Sequence, residues 1–156
     1  MNKIATTVGV MLVVFAIICL AVGSIFIWQG ASKYFMITNL AKEEKVTIGL
    51  TEGQVKNGEI VDSLAKMQQA AETIKEHRRG IAPTYGDLLG KDRFDPTNPK
   101  HTTYAQALNL ENYLFVGSLA MGLTLVMMGI GAFMLMMGLA LALIAITIFR
   151  MTKTQA

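Results

Sequence analysis

The residues able to do chemistry are few and lie in the middle of the chain. Two histidines, His77 and His101, share that stretch with Asp87, Asp92 and Asp95. A mononuclear iron or zinc centre needs two or three converging ligands and an open position, so both histidines and one aspartate would complete a two-histidine, one-carboxylate set. Nothing in the spacing forces the three together. His77 reads better as a packing residue or a cation in the last turn of a helix, and Arg78-Arg79 as a solvated surface pair. The sequence carries no Gly-rich phosphate loop, no Cys-x-x-Cys, no haem-attachment motif and no Ser-His-Asp set in recognisable surroundings. Its one cysteine, Cys19, lies in an apolar run and reads as a small buried side chain. No catalytic residue, cofactor site or metal site is therefore assigned, no small-molecule substrate is identified, and a non-enzymatic role is expected.

The elements around these residues are defined by where charge is missing. All 11 acidic residues lie between Glu43 and Glu111, and 11 of the 14 Lys and Arg lie between Lys33 and Lys100; Lys3, Arg150 and Lys153 stand apart at the two ends. The middle is neutral, and the formal net charge of +3 belongs to the ends. No basic patch suits a nucleic acid. From Ile4 to Trp28 no residue is charged, which at about 1.5 Å per residue gives roughly 37 Å of helix, enough to cross a hydrocarbon core of about 30 Å. No small-x-small cleavage site follows, so this run reads as an uncleaved anchor, with Trp28, Lys33, Tyr34 and Phe35 marking an interface. From Tyr113 to Phe149 a second charge-free run would give about 55 Å of helix, too long for one simple crossing. Either one tilted or bent helix extends past the bilayer, or two short helices turn back near Gly129-Ile130-Gly131. Positive residues favour the cytoplasmic side, and Lys3, Arg150 and Lys153 share a side only with two crossings, the preferred count. Neither apolar run holds a histidine for haem or chlorophyll, or a central ionisable group for an ion pathway.

The apolar runs also carry a spacing. Gly9, Ala16, Gly23 and Gly30 recur every seventh residue in the first; Gly117, Thr124, Gly131, Gly138 and Ala145 do so in the second, with Gly122 and Gly129 as a parallel pair. In lipid, helices associate largely through close approach at small residues, and a seven-residue period keeps such a seam on one side of a left-handed pair. These glycines are the expected helix-packing positions, and Gly23→Leu or Gly131→Leu is expected to disrupt assembly. Met121, Met127, Met128, Met134, Met136 and Met137 read as adaptable packing.

The expected fold is thus all-α: a transmembrane hairpin of two crossings, with three as the alternative, around a mostly helical extracytoplasmic loop. Residues 1–35 form the first anchor, 36–111 the loop region, 112–150 the C-terminal membrane segment and 151–156 a cytoplasmic tail. Within the loop, Lys45-Val46-Thr47-Ile48 reads as a short strand and Asn57-Gly58 as a turn. Ile60, Leu64, Met67, Ala71 and Ile74 make one apolar stripe on a helix spanning about 59–79, with Gly80 placed to end it. Thr84 to Leu89 could add a further turn, and Asn98 could cap a helix with Pro99 at its first position. The loop has few apolar residues, so it should rest on the membrane surface, on its own helix extensions or on a neighbouring chain.

The run Ile37-Thr38-Asn39-Leu40-Ala41-Lys42-Glu43-Glu44-Lys45-Val46-Thr47-Ile48, then Gln69-Ala70, Ile74, His77, Thr84-Tyr85, Asp95-Pro96 and the Gly-rich apolar C-terminus carry a resemblance. Over about residues 37–140 the chain resembles a group of small two-anchor membrane proteins of Actinobacteria and Chloroflexi, often labelled "aromatic ring-opening dioxygenase LigA". Genuine ring-opening dioxygenases are soluble, and their iron site has no counterpart here. The resemblance implies the two-anchor architecture and no catalytic residues. Together these readings point to a structural or accessory protein of the bacterial inner membrane, assembling with itself or with other membrane subunits. The alternatives are a metal-binding or enzymatic loop protein and an oligomeric transporter or channel component.

Overall fold

The computed structural model describes residues 3–154, and among them the only regular elements are helices: α1 (Lys3–Glu43), α2 (Glu52–Lys56), α3 (Leu64–Ile81), α4 (Tyr85–Leu89) and α5 (Pro99–Thr154). Helices α1 and α5 are each long and apolar enough to cross a membrane. Helix α5 runs unbroken through Gly129-Ile130-Gly131, so the chain does not turn back there. Glycine weakens a helix but does not end one, and no proline follows Pro99. The chain divides into two compact units, one of residues 3–33 with 123–154 and one of residues 34–122.

In the first unit the N-terminal part of α1 lies antiparallel to the C-terminal part of α5. Gly30 faces Thr124 and Met128, Gly23 faces Gly131 and Leu135, Gly138 faces Ala16 and Leu20, and Gly9 faces Phe149.

The second unit is built around α3. Ser63 caps α3 by accepting from the Lys66 N–H, and Lys66 reaches back to Asp62 and Glu59 at 3.2 and 3.4 Å. Those acidic partners hold the Lys66 ammonium above its ordinary range, the Asp62 hydrogen bond contributing most. Met67, Ala70, Ala71 and Ile74 form the buried stripe of α3 and meet Ala41 of α1, Val61, and Leu114 and Met121 of α5. The polar region thus completes its core with the extensions of the two long helices.

Three local readings are corrected. Lys45-Val46-Thr47-Ile48 is not a strand. It ends α1 in a Schellman turn: Val46 N–H donates to Ala41 O (3.3 Å), Lys45 N–H donates to Lys42 O (3.2 Å), and Lys45 takes a left-handed φ of 48°. Val46 then packs against the core beside Ala41, so its apolar character serves a cap contact. The α3 helix begins at Leu64 rather than near 59, because Ser63 supplies the cap and Val61 bonds outward to Val46 O (2.7 Å). It also passes through Gly80. The stop is set by Pro83, whose ring excludes the helical conformation at Ala82, and Ala82 is extended at φ −155°, ψ 142°.

Candidate functional site

Two constellations stand out, one in each unit. In the first unit the buried residues on α1 are Gly9, Ala16, Gly23 and Gly30, and those on α5 are Thr124, Gly131, Gly138 and Ala145. Every one is small, and each series steps by seven. At the closest point a Cβ added to Gly131 would lie 2.7 Å from Gly23 O and 2.9 Å from Ile27 N, while one on Gly23 would lie 2.8 Å from Gly131 O. The two backbones touch, which only glycine at both positions permits. Gly30 meets the Met128 side chain and also backbone, a Cβ there lying 2.9 Å from Thr124 O, whereas Gly9 meets only the Phe149 ring.

The other predicted packing glycines go elsewhere. Gly117 faces α3, where a Cβ would meet Met67 Sδ at 3.1 Å. Gly122 and Gly129 have no atom within 4 Å of an added Cβ. They precede Thr124 and Gly131 by two residues, about 200° around the helix, so the same spacing points away from the seam. The methionines divide too: Met121 is fully buried in the second unit, Met127, Met128 and Met134 are half-buried, and Met136 and Met137 are exposed.

Hydroxyl groups of the first unit bond to their own helix. Thr7 donates to Lys3 O (3.0 Å), Ser24 to Leu20 O (2.8 Å) and Thr147 to Leu143 O (2.9 Å). These side chains expose little unsatisfied polarity to their surroundings.

The second constellation is a buried ion pair. Arg78 on α3 and Glu111 on α5 are only 8% and 6% exposed. Arg78 Nε donates to Glu111 Oε2 at 2.6 Å and Nη2 to Oε1 at 3.3 Å, the two-pronged geometry that suits guanidinium and carboxylate. Arg78 Nη1 also donates to the Tyr104 hydroxyl, and the guanidinium carbon lies 5.0 Å from the Tyr104 ring centre. The Glu111 hydrogen bond holds the Arg78 pKa above its ordinary value against the opposing effect of burial. This corrects the reading of Arg78-Arg79 as a solvated pair: Arg79 is exposed, but Arg78 is not. The sequence held the signal, since Arg78 lies four residues after Ile74 and continues the apolar stripe.

The histidines do not converge. His77 lies on the exposed face of α3, while His101 is buried at the start of α5. His101 Nδ1 accepts the Asp95 N–H at 3.0 Å and its ring stacks on Phe94 at 5.7 Å, tying the loop to the helix. Asp95 accepts from the Thr97 N–H (2.8 Å) and hydroxyl (2.7 Å), which holds its carboxyl below the usual range. Among the described residues no group of three or more His, Cys, Asp or Glu is placed to hold a metal ion.

Fold and site together define an all-helical chain with two potential membrane-spanning helices. No family model, curated protein or solved structure matches it.

Proposed function

We propose that the chain is a two-crossing protein of the bacterial inner membrane, with Lys3, Arg150 and Lys153 on the cytoplasmic side and residues 36–111 outside. In this reading it serves as a structural or accessory subunit. One observation carries the reading. In the first unit the buried positions are small residues, while Ile17, Ile25, Val126, Phe133 and Leu139 are exposed. Water would drive these large side chains inward, whereas lipid leaves them out and rewards close packing at glycine.

The seam also refines the expected assembly. The glycines at the seam are occupied by pairing within the chain, so they build the hairpin; partners must be met on another face. Alkaline carbonate extraction of membranes from expressing cells tests the membrane reading, with protease protection of inverted vesicles for orientation. The protein should stay in the pellet, with residues 36–111 protected. Release into the carbonate supernatant would reject the proposal, and cleavage of that region in inverted vesicles would reject its orientation.

A further inference from the structure

His101 is a buried histidine, 8% exposed, at the third position of α5. Its Nδ1 accepts the Asp95 N–H at 3.0 Å. A backbone N–H can only donate, so Nδ1 carries no proton and the ring is neutral. A charged ring has a proton on both nitrogens and could not accept there; N–H would face N–H.

That bond holds a segment with little else to fix it. Residues 91–97 are exposed, and their other hydrogen bonds close locally. Asp92 N–H donates to Leu89 O (2.9 Å), Asn98 N–H donates to Asp95 O (3.2 Å), and Thr97 donates to the Asp95 carboxylate. The bond to His101 and the stacking of Phe94 on its ring therefore fasten the loop to α5. The Asp95 carboxylate lies within electrostatic reach of the same ring. It offers a charged imidazole an acceptor in place of the N–H, in competition with Thr97.

We infer that His101 is a pH-operated latch: neutral, it holds Phe94 and Asp95 against α5 through Nδ1, and on taking a proton there from solvent it releases the Asp95 N–H and frees the loop. Charges on the elements packed at this end of α5 favour neither state. Arg78 of α3, which bonds Tyr104 one turn further along, is already paired to Glu111. Asp87 on α4, Lys91, Asp92, Arg93 and Asp95 in the loop, and Lys100 on α5 are exposed, three of each sign. Solvent screens them, and their fields largely cancel. The latch lies wholly within the second unit and holds whether or not lipid surrounds the first.

The test is two-dimensional NMR of the full chain, with amide exchange corrected for the intrinsic effect of pH. Between about pH 7.5 and about pH 5, protection of the Asp95 amide should fall about tenfold, the worth of one hydrogen bond, while α3 amides keep theirs. His101→Asn supplies an amide oxygen that can accept the same N–H but takes up no proton, and should abolish the fall. His77→Asn, at the exposed histidine, should leave it in place. Constant Asp95 protection in the wild-type protein would overturn the latch, whatever the variants do. So would a fall shared by α3, one that persists in folded His101→Asn, or one that His77→Asn removes.

Discussion

The two units bury opposite kinds of residue. The first encloses glycine, alanine and one threonine and turns its large apolar side chains outward. The second encloses Tyr104, Met121 and Val61, together with an arginine paired to a glutamate. Size and polarity of the buried set follow the solvent. Where water surrounds the chain, burying large side chains supplies the drive, and a buried charge must be paired. Where lipid surrounds it, that drive is absent and backbone proximity takes over. The proposed membrane boundary is this change in packing, expressed along two continuous helices.

The largest expected effect comes from filling the seam. In Gly131→Leu the new side chain would meet backbone at Gly23 and Ile27, atoms that cannot move aside. The helices should separate along the first unit, seen as a longer distance between spin labels at the exposed positions Ile17 and Leu139, while the same leucine at Gly129 leaves that distance unchanged. Next is the ion pair. Glu111→Ala strands the Arg78 charge and should cost about 3–5 kcal/mol in the second unit, read by hydrogen exchange of α3 amides. The first unit should be unaffected, because distant sites act independently.

Smaller effects probe the loop. Gly49 has φ 77°, and an added Cβ would lie 2.6 Å from Ala70 O and 2.7 Å from Ala70 Cα. Gly49→Ala should therefore cost about 2 kcal/mol, seen as a lower thermal midpoint. Lys45→Gly acts in the other direction: relieving the left-handed conformation at the end of α1 should add about 1 kcal/mol, raising that midpoint.

The sequence made the spacing of the first unit legible but not its phase. Gly122 and Gly129 carry the same seven-residue period as Thr124 and Gly131, and only three-dimensional pairing tells which series faces α1. In the second unit the α3 stripe was legible because its residues are local. The Glu111 partner was not, lying 33 positions from Arg78. Val46 misled for a physical reason: a β-branched residue that seals a helix end looks like one in a strand. The unusual length of the second apolar run was read correctly as a difficulty. Its explanation, one continuous helix in which the first turns of the apolar run contribute Leu114, Ser118 and Met121 to buried positions of the second unit, needed the tertiary contacts.

The central claim is that lipid surrounds the outward faces of the first unit. Nitroxide labels at Ile17, Ile25, Val126 and Leu139, on protein lacking Cys19 and reconstituted in bilayers, test it through their collision rates with oxygen and with a water-soluble nickel chelate. The account predicts high oxygen and low nickel accessibility at all four. High nickel accessibility, or shielding from both reagents, would contradict it.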